Sequence, residues 1–181
     1  MSFRHDVSDF AEAASGTYQD MPMMLQPLLP WWRRLPREGH APMWTGELVF
    51  DLKPWLGYLL MARFPRDGMQ ARYTLYGSEL VAFTGNDLTG RDLFEASTVP
   101  GFKNTAAAYV TTRHSGRPHW SRIRVDLPGN VKLRYDRLLL PFTCQDGDAR
   151  VLGALRFDER LPRLWGAGEL SLTIEQEALL T

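Results

Sequence analysis

Cysteine is nearly absent. Cys144 stands alone among 181 residues, which excludes an intramolecular disulfide and a multi-cysteine zinc site. A charge excess is absent too. Lys+Arg and Asp+Glu number 21 each, so no general electrostatic pull acts on nucleic acid or an anionic membrane. No apolar run approaches the ~20 residues that span a bilayer. The opening stretch MSFRHDVSDFAEAASG has neither the basic start nor the apolar run of a signal peptide. These absences point to a cytoplasmic protein with no nucleic-acid and no membrane partner. Catalytic patterns are missing as well. The chain shows no paired-carboxylate spacing, no nucleophile elbow, no P-loop lysine and no GxGxxG. It is expected not to be an enzyme, and no catalytic residue is assigned.

What the chain does have is ordinary globular material, 44% hydrophobic and 23% charged, in a length that suits one domain with extensions. Three segments are expected: an N-terminal extension over 1–40, a core domain over 41–165 and a C-terminal helix over 166–181. Within the extension, Pro27 and Pro30 interrupt an apolar stretch, and a short helix is expected from Pro30. Trp31 and Trp32 follow, beside Arg33 and Arg34. The two tryptophans either cap the domain's own core or form an interface with a second copy or a protein partner, because paired large aromatics are costly to leave in water.

The residues 41–54 predict a short amphipathic helix ending at Pro54. Trp55–Phe64 reads as a buried central strand, and Gln70–Tyr76 alternates, with Ala71, Tyr73 and Leu75 on one face and Arg72, Thr74 and Tyr76 on the other. A short helix over Ser78–Phe83 ends at Gly85. The Asn86–Gly90 turn leads to a further short helix over Arg91–Ala96, which Asp87 or Thr89 could cap. A longer helix is expected over Gly101–His114. Three strands follow at His119–Leu127, Val131–Thr143 and Ala149–Asp158, joined by turns at Pro128-Gly129-Asn130 and Gln145–Asp148. The terminal helix rests on the spacing of Leu170, Ile174, Leu179 and Leu180.

Two blocks carry a family resemblance. The stretch RYTLYGSELVAFTGNDLTGR, Arg72–Arg91, and YDRLLLPF, Tyr135–Phe142, resemble a bacterial PAS-like family with the pattern RYRLVGT…G.DLTGR…Y.RLLLPL. Gly153-Ala154 falls where that family's last strand carries a similar pair, and the resemblance spans about Pro36 to Phe157. Thr74 stands where the family has arginine, and Ser78 where it has threonine. The resemblance implies an α+β fold, a five-stranded antiparallel sheet with helices on one face. With no recognisable kinase, cyclase or DNA-binding segment in the sequence, a stand-alone sensor or adaptor whose output lies in another protein is expected. Such modules bind small molecules between sheet and helices or use the sheet and flanking helices to dimerise.

The expected pocket gathers Tyr73, Leu75, Phe83, Phe102, Ala106, Tyr109, Leu139 and Leu155 between sheet and long helix, where a small organic ligand fits. The alternative is that these residues fill a solid core and the chain is an interaction or dimerisation module. No cofactor is assigned. Tyr135 and Arg137 either point at a ligand or pair across the sheet. In RHSGRPH, His114 and His119 lie across a Gly-Pro turn with no carboxylate or cysteine nearby, so an exposed polar turn, with an anion at Arg113 and Arg117, is favoured over a metal. Cys144 is expected to be a free thiol, and no photoreceptor-type cysteine lies in Asp87–Phe94.

Overall fold

In the computed structural model, described for residues 14–15, 17–37, 39–68, 70–157 and 170–180, seven strands form one sheet. They are β1 (Ala14–Ser15), β2 (Leu59–Phe64), β3 (Arg72–Tyr76), β4 (His119–Leu127), β5 (Val131–Thr143), β6 (Ala149–Phe157) and β7 (Ser171–Leu179). The order across the sheet is β1-β7-β4-β5-β6-β2-β3. All pairs are antiparallel except β1 with β7. Among the described residues four α-helices accompany it: α1 (Leu28–Arg34), α2 (Leu48–Asp51), α3 (Ser78–Thr84) and α4 (Phe102–Ser115). The expected five antiparallel strands are the contiguous block β4-β5-β6-β2-β3, and the structure extends that block at the β4 edge. Strands β3 and β4 lie at opposite edges of the block, so the connection through α3 and α4 crosses one face of the sheet.

The terminal helix expected over 166–181 is not formed. Residues 166–169 lie outside the described residues, and Ser171–Leu179 is a strand paired with β4. Leu170, Leu172 and Ile174 have a spacing of two and pack on one core. The edge of β4 supplies backbone partners that an isolated helix would not need, and pairing it removes an open edge. Register shifts between Arg122 and Ile123. Beyond that irregularity, Ala178 and Leu180 join the core on the opposite face.

The expected N-terminal extension adds a second cover to the sheet, on the face away from α4. On one face α4 lays Ala106, Ala108 and Tyr109 over Leu60, Ala62, Tyr73, Ile123 and Leu139. On the other, the N-terminal segment lays Met21, Leu25, Leu28, Leu29 and Trp32 over Leu59, Met61, Trp120, Leu138, Leu140 and Phe142. Cover on both faces is why Tyr135–Phe142 is buried without a break. Trp32 is 3% exposed and its indole N–H donates to the Pro141 carbonyl at 2.8 Å. Of the two interface candidates, Trp32 therefore belongs to the chain's own core. Trp31 is half-buried, tilted against Phe142 with centroids 6.2 Å apart, and donates to Asp51 at 3.1 Å.

Local differences have local causes. The helix expected over 41–54 shrinks to α2, and a 3-10 helix over Lys53–Tyr58 takes the start of the expected central strand, with Pro54 in its first turn. Gly85 ends α3 in the left-handed region, φ 73°, as expected. The helix expected at Arg91–Ala96 is a turn instead. Asp92 accepts from the Phe94 and Glu95 amides at 2.8 and 3.1 Å, while Asp87 caps only the Thr89 amide, at 2.9 Å. The Leu93 amide donates to the Ala71 carbonyl at 2.8 Å and the Gly90 amide to the Tyr73 carbonyl at 2.8 Å, so this turn runs along the outer edge of β3.

Candidate functional site

A cavity of about 100 Å³ lies between α3, α4 and the sheet. Its floor comes from alternate residues of three strands: Leu60 of β2, Tyr135 and Arg137 of β5, and Leu155 and Phe157 of β6. Its roof comes from Leu80 and Phe83 of α3 and from Phe102, Thr105 and Tyr109 of α4. Phe83 stacks on Phe157 with centroids 4.0 Å apart, closing the wall between α3 and the sheet. Tyr73 meets both Tyr76 and Tyr109 edge-on, at 5.9 and 6.3 Å.

Of the expected pocket residues, Tyr73, Phe83, Phe102, Tyr109 and Leu155 line this cavity. Ala106 and Leu139 are buried at 1% and 0% in the core on the same face, behind the lining. Leu75 is not in the pocket and is 37% exposed. The reason is a bulge. Met61 pairs with Leu75 but Ala62 pairs with Tyr73, so Thr74 has no counterpart on β2 and the simple alternation fails there. Tyr76 thereby comes to the same face as Tyr73, against the expectation that put it opposite.

The other lining residues left out of the expected set had partial signals. Tyr135 and Arg137 share the period-two face of Leu139, so a strand face that carries one carries all three. Leu172 carries no such signal, because the spacing of Leu170, Ile174, Leu179 and Leu180 points to a helix and not to the strand it lies on.

The polar groups of the lining are four phenols and one guanidinium, with Thr84, Asn86, Ser97 and Thr105 beside them. Burial pushes the Tyr76 hydroxyl up to about 12 and raises Tyr73, Tyr109 and Tyr135 as well. All four are neutral phenols at neutral pH, able to donate or accept one hydrogen bond without adding charge. Arg137 is 3% exposed. Its Nη1 donates to the Thr105 carbonyl in the first turn of α4 at 2.8 Å, and its Nη2 to the Ser121 hydroxyl at 3.2 Å. Its guanidinium carbon lies 5.2 Å from the Tyr109 ring centroid. Its Nε is buried with no partner among the described residues.

The neighbouring polar groups on the sheet are occupied elsewhere. Asp136 points to the opposite face, where it accepts from the Trp120 indole at 3.1 Å and pairs with Arg122 at 3.1 Å. His119 is 4% exposed on β4, not part of an exposed turn, and its Nε2 lies 3.2 Å from Glu177. The two arginines of the expected anion site each have a partner. Arg113 lies over the Phe64 ring at 5.3 Å and Arg117 donates to the Leu179 carbonyl at 3.1 Å. Cys144 is a free thiol whose pKa burial pushes up, the opposite of what a nucleophilic thiolate needs.

No family model matches the chain, and no curated protein matches it. Among solved structures, the chain is similar to the PAS domain of an HTR-like protein from Haloarcula marismortui. The TM-score is 0.35 and the identity 15%, over 61% of this chain and 92% of that one. No helix among the described residues is long and apolar enough to cross a membrane.

Proposed function

We propose that this chain is a PAS-like sensory or signalling module that takes a small molecule between its sheet and α4. The observation that carries this reading is the cavity itself. Close-packed cores leave few voids larger than a water molecule. A space of about 100 Å³ walled by aromatic rings, with a buried cation and four neutral phenols, has the mixed character of a ligand site rather than a packing flaw. Its roof and floor belong to different layers, so an occupant touches both α4 and the sheet. A ligand shifts the module between arrangements only as far as it binds one better than the other. In this reading the chain is a non-enzymatic, cytoplasmic receptor that passes its state to a protein partner or a second copy.

A second reading, an interaction module with no ligand, has one observation in its favour. Phe50 is 65% exposed, with Val49 at 38% and Leu56 at 39% on the adjoining turns, an apolar surface on the N-terminal side of the chain.

Native mass spectrometry of the purified protein, compared with its denatured mass, tests both. The expected result is a small non-covalent mass released on denaturation, with the Leu60, Leu80 and Leu155 methyl signals shifting when that molecule is added back. A bare mass, together with unshifted methyl signals across a set of small aromatic and aliphatic molecules, would refute the ligand reading. The charge-state series of the same spectrum gives the oligomeric state on which the second reading depends.

A further inference from the structure

Among the described residues, Arg137 is a buried cation without a counter-ion. Arginine stays protonated in proteins, and an ionised group taken out of water is costly unless it is paired. Neutral groups offset part of that cost: the Thr105 carbonyl, the Ser121 hydroxyl, and the ring face and hydroxyl of Tyr109. None of them carries charge. Arg137 forms no ion pair among the described residues, and the phenols around it stay neutral. The adjacent carboxylates are turned away, Asp136 to the opposite face and Glu177 toward His119. A guanidinium carries five N–H donors; the Thr105 carbonyl, the Ser121 hydroxyl and the Tyr109 phenol take part of that set, and Nε is buried with no partner among the described residues.

Resting on the reading of the cavity as a ligand site, we infer that its ligand is a small carboxylate with a flat or short apolar body. Its carboxylate would be held by Arg137 and its body by the rings of Tyr73, Phe83, Tyr109 and Phe157. A carboxylate supplies the missing negative charge, and its two oxygens match the guanidinium fork. At about 100 Å³ the cavity is smaller than the roughly 150 Å³ that admits benzene, so it encloses a short aliphatic body or no more than part of one ring. The same guanidinium holds the Thr105 carbonyl of α4. A ligand that draws Arg137 toward itself therefore pulls on the first turn of that helix, which gives the binding event a mechanical consequence.

Benzoate and benzamide test the inference, because they match in shape and differ in charge. Titrated into the wild-type protein by calorimetry, benzoate is expected to bind at least about tenfold more tightly than benzamide, the least a charge-assisted pair adds. In Arg137→Gln that preference should vanish while benzamide binding persists. Amide exchange over 102–108 should slow in the wild type with benzoate only. Equal affinity of the two probes for the wild type overturns the carboxylate assignment and leaves the cavity standing as a ligand site. An unchanged preference in Arg137→Gln overturns it too. Silence of benzoate, benzamide, butyrate and butanol alike at millimolar concentration, with solvent alone in the cavity, overturns both readings. If Arg137→Gln does not fold, the wild-type comparison and the exchange measurement decide the matter without it.

Discussion

Replacing Gly101 by alanine probes the joint on which α4 and the cavity roof depend. Gly101 precedes α4 with φ 79°, in the left-handed region. A Cβ built there would lie 1.9 Å from the Leu172 carbonyl oxygen and 2.9 Å from its carbon, both backbone atoms of β7. The Leu172 amide donates to the Pro100 carbonyl at 2.9 Å, so the two segments are locked together where they meet. Two costs follow. The left-handed conformation costs an L-residue about 1–2 kcal/mol, and forcing the packed backbones apart adds about 1–3 kcal/mol. The sum, roughly 3 kcal/mol, corresponds to a melting-temperature loss of about 6–12 °C for a chain of this size. Gly90 is the control. It has φ 82° and open space around its Cβ position, so Gly90→Ala should bear only the conformational cost, about 1–2 kcal/mol. Urea and thermal denaturation of both variants give the comparison, with an unchanged urea slope showing that stability changed without a change in the surface exposed on unfolding. A Gly101→Ala variant no less stable than Gly90→Ala would refute the contact between α4 and β7 argued here.

Two further outcomes follow from the packing and the charges. Trp32→Ala should destabilise the protein by about 3–5 kcal/mol and Trp31→Ala by clearly less, as read by urea denaturation; near-equal effects would contradict the burial of Trp32 alone. Asp148 accepts from the Arg66 amide at 2.9 Å and from the Arg63 guanidinium, which hold its carboxyl below the ordinary value of 3.8. A carboxylate with a depressed folded pKa contributes fully above that ordinary value and loses its contribution as pH falls through the folded one. The melting-temperature gap between wild type and Asp148→Asn should therefore be steady from about pH 7 to about 5 and close below about pH 4. A gap that widens on acidification would show the sign to be wrong.

Much of the cavity was legible because its residues obey local periodicity. Tyr109 and Phe102 lie on a helix whose ends are marked by glycine, and Leu155 lies on a strand bounded by the Gln145–Asp148 turn and alternating within it. Tyr73 and Phe83 stand one on each side of the Gly77 turn, a short-range feature. The mistakes sit where distant chain segments compete. Tyr76 and Leu75 exchanged faces because a bulge opposite Met61 and Ala62 shifted the alternation, and nothing in a single strand records its partner's register.

The terminal segment shows the division most sharply. Leu170, Ile174, Leu179 and Leu180 fit a helical spacing, and Leu170, Leu172 and Ile174 fit a strand equally well. The open edge of β4, some fifty residues upstream, decided between them by offering hydrogen bonds and a place for both apolar faces. The fate of Arg137 was decided the same way. Its position on a strand face follows from the order of residues, as does its neighbour Leu139. That it is buried without a carboxylate among the described residues follows only from what the fold brought over it, a helix presenting a neutral carbonyl, and from the turning of Asp136 to the far face. Local spacing determines which side of an element a residue occupies. Which charges meet there, and whether a space is left among them, depends on contacts between elements far apart in the chain.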